Sequence, residues 1–145
     1  MDFAAENFPL YQLLQKLKVP GIEQVTDDCE AAKNGGDEQK YQFAMGLFTV
    51  VTTPGMQDAL PGLTPALVKT TLAQAFYIFE DTGTRGHSGG ALMTSFLKAT
   101  GQGTKEDFDG AVAWLDRAEQ LGGESDFTRE LRRKLLPAPA GAPKK

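Results

Sequence analysis

The sequence predicts an all-α protein, and three observations carry that prediction. Apolar residues recur at i, i+3, i+4 and i+7 in one segment after another. Capping residues, glycine pairs and prolines separate those segments. No stretch shows the apolar–polar alternation expected of a half-buried strand.

Seven helices follow in order. The first runs from about Phe8, with Asn7 as a candidate cap and Pro9 in the first turn, where a missing amide proton does no harm. Leu10, Leu13, Leu14 and Leu17 form its stripe, and Pro20-Gly21 ends it. The second carries Val25, Cys29 and Ala32 on one face, and Asn34-Gly35-Gly36 reads as a left-handed C-cap. The third spans Asp37 to about Val51. Within "YQFAMGLFTVV" only Gln42 and Thr49 are polar, and they share one narrow face. Such a helix is either buried between neighbours or offers a second contact surface.

The stretch "TTPGMQDALPGL" reads as a loop. Thr64-Pro65 opens the fourth helix as a cap followed by an N1 proline. Its expected face is Val68, Leu72, Ala75, Phe76 and Phe79, with Asp81-Thr82-Gly83 closing it. A glycine-rich loop, "TGTRGHSGG", leads into a fifth helix through about Ala99, which "GQG" at 101–103 breaks. The sixth starts at Thr104, with Asp107 three residues on, close to a capping box. Phe108, Ala111, Val112, Leu115 and Ala118 form its face, and Gly122-Gly123 ends it. Ser125 caps a seventh helix bearing Phe127, Leu131 and Leu135. Residues 1–136 are expected to form one helical domain, and "PAPAGAPKK" (137–145) a disordered tail.

Composition agrees with a globular chain: 145 residues, 41% apolar and 23% charged, enough for one domain with a hydrophobic core. No apolar run is long enough for a membrane span. The acidic start "MDFAAENFP" does not resemble a secretory leader, and Cys29 is the only cysteine, which excludes an internal disulfide. A soluble intracellular protein in a reducing compartment is expected. The net charge of −4 argues against general nucleic-acid binding. That charge is uneven: residues 126–145 carry six Lys/Arg against two acids, while residues 1–125 are net acidic. A basic C-terminal segment suits an acidic partner surface.

Two stretches, "EAAKNGGDE" (30–38) and "RAEQLGGES" (117–125), each place a helix end before Gly-Gly and then a newly capped helix. The spacing suits stacked helix pairs, a short α-solenoid. The stretch "GQGTKEDFDGAVAWLDRAEQLGG" narrows this. It resembles the second half of a Sel1-like repeat, a relative of the tetratricopeptide repeat. The pattern falls on Gly101, Gly103, Asp107, Ala111, Trp114, Arg117, Ala118 and Gly122. "ALMTSFLKAT" matches the first helix of that repeat, with Ser95 where the family usually has glycine, and Thr94 and Lys98 also departing. In "GGDEQKYQFAMGLF", Met45-Gly46 resembles the family's Leu-Gly, although residues 64–83 lack its tryptophan and length.

The resemblance implies a non-catalytic module that binds another protein or protein complex, as an adaptor, assembly factor or accessory subunit. It also implies that the first helices of each pair line a concave surface, approached by Phe43, Leu47, Leu92 and Phe96.

Other chemistry is weighed against this. "GHSGG" (86–90) fits the G-x-S-x-G nucleophile elbow, with Ser88 as nucleophile. That motif needs a preceding strand and a histidine base from elsewhere, and His87 is the only histidine and sits beside the serine. The alternative to protein binding is a small-anion or small-ligand contact by Arg85 and Ser88 in the glycine-rich loop 82–90, ahead of a helix N-terminus. One His and one Cys far apart provide no metal-ligand spacing, and neither "VTDDCE" nor "EDFD" matches an EF-hand loop. No catalytic residue, metal or cofactor is expected.

Overall fold

The computed structural model describes residue 3, residues 7–20 and residues 29–135, and all regular structure among them is helical. Helix α1 is Pro9–Leu17, residues 29–34 are helical (α2), α3 is Asp37–Thr52 and α4 is Met56–Ala59. Then come α5 (Pro65–Thr84), α6 (Ser88–Thr100), α7 (Phe108–Gly122) and α8 (Asp126–Leu135). The short α4 lies in the stretch expected to be a loop. None of these helices is long and apolar enough to cross a membrane. Val25 of the second expected helix, its start after Gly21, and the tail at 137–145 lie outside the described residues.

Successive long helices pack on one another: α3 on α5, α5 on α6, and α6 most extensively on α7. The contacts give the directions. Phe79 and Gly83 meet Gly90 and Ala91 at the joined ends of α5 and α6, while Phe76 lies under Lys98 and Leu72 meets Gly103 farther away. The two helices therefore run antiparallel. Helices α6 and α7 are also antiparallel, with Ser95 bonded to the Ala111 carbonyl, Lys98 near Asp107 and Ser88 against Gly122. Helices α3 and α6 run side by side in the same direction, because Glu38 meets His87 and Phe48 meets Phe96.

The α5–α6 hairpin depends on two glycines inside helices. A Cβ on Gly83 would lie 2.8 Å from the Ala91 nitrogen, and one on Gly90 would lie 2.8 Å from the Gly83 nitrogen and 2.9 Å from the Phe79 oxygen. These obstacles are backbone and cannot swing away, so only glycine permits this approach. The expected helix end at Gly83 and loop at 82–90 are thereby corrected, with only residues 85–87 left as the turn. Helix α5 continues to Thr84, and Ser88, Gly89 and Gly90 form the first turn of α6. Burial against another backbone outweighs glycine's weak helix propensity here.

Other local expectations are corrected too. Neither Gly35 nor Gly36 is left-handed; a Cβ on Gly35 would meet the Ala31 oxygen at 2.5 Å. Phe8, not Asn7, is the N-cap of α1, without a side-chain bond, and Pro9 is at N1 as expected. Helix α7 begins at Phe108 rather than Thr104, and Asp107 accepts the Gly110 amide at 2.9 Å. Thr64 and Ser125 cap α5 and α8 as read, accepting the amides of Leu67 and Thr128.

The core lies where α1, α3, α5 and α6 meet. Phe8, Phe43 and Phe3 form a ring cluster with centroids 4.8–6.0 Å apart, which holds the N-terminal helix on α3. Gln42, Gly46 and Thr49 form an exposed stripe along α3, Glu38, Gln39 and Thr52 are exposed at its ends, and the rest of that helix is wholly or partly covered. On α5 the buried face is Thr71, Ala75, Ile78, Phe79 and Thr82, one step round from the expected Val68, Leu72 and Phe76, which are half-buried.

The hairpin glycines and a free-standing one respond oppositely to the same change. Gly90→Ala destabilises by about 1–3 kcal/mol, because the added methyl overpacks a backbone contact. Gly46→Ala, where a Cβ meets nothing within 4 Å, stabilises by about 0.5–1 kcal/mol. Urea unfolding of the two variants against the parent reads both.

Candidate functional site

The sequence places candidate residues in two regions, and the structure treats them differently. Arg85 and Ser88 flank the turn between α5 and α6. Arg85 donates to Asp37 through Nε at 2.8 Å and pairs with Asp81 at 2.7 Å. Hydrogen bonds first to Asp37 and then to Asp81 raise its pKa further. Its guanidinium is thus committed to carboxylates on α3 and α5. The Ser88 side chain packs on Gly122 at the end of α7, beside a small hollow of about 140 Å³.

His87 caps α6. Its Nδ1 accepts the Gly90 amide at 3.0 Å, so the neutral ring carries its proton on Nε2, which donates to Glu38 Oε1 at 3.2 Å. The ring also lies on Tyr41, with centroids 4.6 Å apart. Both ring nitrogens are engaged, and neither is offered to Ser88. The serine stands in the first turn of a helix that follows another helix, not at the strand-to-helix turn an elbow requires.

The expected apolar surface is partly closed. Phe43 and Leu47 are buried, at 1% and 3% exposure, under α1, α5 and the Phe3–Phe8 rings. They belong to the core, which corrects their placement on an open face. Leu92 and Phe96 are half-buried on α6. Leu92 borders the hollow near Ser88, whereas Phe96 opens onto a separate groove.

That groove, about 230 Å³, is the site the sequence reading did not assemble. Helix α6 contributes Phe96, Ala99 and Thr100, and the start of α7 contributes Phe108. Helix α8 supplies Phe127, Leu131 and Leu135, with Glu130 and Lys134 alongside. Phe108 and Phe127, both expected to face the core, are 54% and 49% exposed. Phe48, Phe96 and Phe127 form a chain of ring contacts at 6.4 and 6.1 Å that links α3, α6 and α8.

Helix α8 has this shape for a legible reason. Phe127, Leu131 and Leu135 recur every four residues on an otherwise charged helix. Arg132 anchors it to α7 through Asp116 and Glu119. The stripe was therefore readable; what it faced was not. A wider cleft of about 680 Å³ lies between α5 and the 101–105 loop, lined by Val68, Lys69, Leu72 and residues 101–105. It gathers no aromatic side chains. Among the described residues no group of His, Cys, Asp and Glu is arranged to hold a metal ion.

Comparison of the chain with protein-family models, curated proteins and solved structures returns no match.

Two outcomes follow from the capping by His87 and the burial of Tyr41 and Cys29. His87→Ala removes the α6 cap and lowers stability by about 1 kcal/mol, whereas His87→Asn retains most of it; thermal melts separate the two. Burial, and then the charge of Glu38, raises the Tyr41 pKa, and burial raises that of Cys29. The folded state thus keeps these protons to higher pH than the unfolded chain. Their contribution is complete below the unfolded values, about 10 for Tyr41 and about 8.5 for Cys29, and falls as pH rises past them. Urea midpoints measured from neutral to strongly alkaline pH should decline, and Tyr41→Phe should flatten part of the decline.

Proposed function

We propose that this protein is a non-catalytic interaction module, a short helical-repeat domain acting as an adaptor, assembly factor or accessory subunit of a larger complex. The observation that carries this reading is the open apolar groove between α6 and α8, with Phe108 and Phe127 each about half exposed on its walls. Large apolar side chains standing together at a surface mark a contact site.

Support for the repeat architecture comes from the contacts. Helices α3 and α5 form one antiparallel pair and α6 and α7 another, with α3 and α6 side by side. Glu38 meets His87 across 49 residues of sequence, the spacing that also relates Met45-Gly46 to Thr94-Ser95. The positions that resemble the Sel1-like pattern do consistent work. Gly101 is the left-handed C-cap of α6, and Asp107 caps α7. Ala111 and Ala118 are buried at the interface, and Trp114 lies against Gly83. Arg117 donates to the Gly83 and Thr84 carbonyls at 2.9 and 2.8 Å, a cation at the C-terminal end of α5. Ser95, where the family has glycine, donates its hydroxyl to the Ala111 carbonyl at 2.6 Å. In the first pair, Phe43 and Leu47 serve the core, so the surface used for binding is shifted toward α6 and α8.

The small-anion reading is the weaker one, because Arg85 already has two carboxylate partners.

With the full chain as bait in its native source, affinity purification should recover one protein or complex in fixed stoichiometry. Recovery of nothing beyond the background of an unrelated bait of equal charge would end this reading.

A further inference from the structure

We propose that the α6–α8 groove receives an amphipathic helix of a partner protein, one that places a carboxylate opposite Lys134 beside its apolar anchors. The inference rests on the interaction-module reading and specifies its ligand.

Shape comes first. Phe127 to Leu135 covers about 12 Å of α8 at the helical rise, the reach of anchors at i, i+4 and i+7 on an incoming helix. The walls are helices and present no strand edge, so an extended segment would find no ladder for its own amides. A helix brings its hydrogen bonds with it.

Charge selects among helices. Glu130, the acid bordering the groove, bonds Arg133 through both carboxylate oxygens, at 2.7 and 2.5 Å. That pairing holds its pKa below the usual range. Arg129 is held by Glu124 and Asp126, and Arg132 by Asp116 and Glu119. Lys134 makes no ion pair among the described residues and feels Glu130 only as a longer-range attraction, so the charge the groove offers a partner is positive. An acidic residue on the partner completes it.

A second copy of this chain is a poor occupant. Outside the groove, the large apolar side chains exposed among the described residues are Tyr77 and Leu121, single residues on different helices. A second α8 would bring the stripe Phe127, Leu131 and Leu135, but the Glu130 beside it is already bonded to Arg133 and offers no free carboxylate to Lys134.

The test uses two fluorescein-labelled helical peptides with leucines at i, i+4 and i+7, identical except for Glu or Lys one turn beyond the last leucine. Each is titrated by fluorescence anisotropy against the full chain. The Glu peptide should bind about five- to tenfold tighter than the Lys peptide, and Lys134→Glu should reverse that order. Phe127→Asp, at an exposed position that leaves helicity intact by circular dichroism, should weaken both by about tenfold or more. Equal affinity for the two peptides, indifference to Phe127→Asp, or no binding would each overturn the proposal. So would sedimentation showing a dimer that Phe127→Asp dissolves, since the occupant would then be a second copy. If the full chain still recovers its partner with Phe127→Asp in place, the groove is wrong and the interaction-module reading stands. If the parent chain recovers none, that reading fails.

Discussion

The close crossing of α5 and α6 at Gly83 and Gly90 is the contact around which the rest is arranged. With no Cβ on either side, the two backbones meet directly, and the turn between them needs only residues 85–87. Neighbouring helices then attach to that junction. Trp114 and Arg117 bring α7 onto the end of α5, and Tyr41 packs over Gly89 and His87 from α3. Asp37 and Glu38 tie the start of α3 to Arg85 and His87. Four helices are positioned by one point of approach, because packed interiors transmit a shift at one contact to the next.

The groove is a consequence of the same arrangement. Once α6 is placed by its N-terminal turn, its distal half projects Phe96 and Ala99 to one side, and α7 returns alongside it. Helix α8 is then held on α7 by the Arg132 ion pairs, with Leu131 and Thr128 buried beneath it. The first position of its apolar stripe, Phe127, remains on the open side and touches Phe96. Polar groups at the junction are consumed internally: His87 by a helix cap and a carboxylate, Arg85 by two carboxylates. The polar side chains of His87 and Arg85 are therefore engaged within the fold, while the apolar face between α6 and α8 stays open.

Much of the helical organisation was legible from local signals. Thr64-Pro65, Asp107, Ser125 and Pro9 act at helix starts because capping depends on a few adjacent residues. The nearly all-round apolar character of α3 left burial and a second contact surface both open, and the structure buries Phe43, Ala44, Leu47 and Val51. Glycine was the letter read least well. Gly83, Gly89 and Gly90 look like loop punctuation, yet they lie inside helices because a neighbouring backbone occupies the space a Cβ would need. No window along the chain contains that neighbour.

What the sequence by itself determined, then, is the helical class, most helix starts, the amphipathic stripe of α8 and the uneven charge, since each depends on residues within a turn or two of one another. The tertiary structure alone decided which stripes meet. It buried Phe43 and Leu47, left Phe108 and Phe127 in the open, and gathered residues from α6, α7 and α8 around one groove. Periodicity shows that a helix has an apolar side; only the placement of its neighbours determines whether that side is covered.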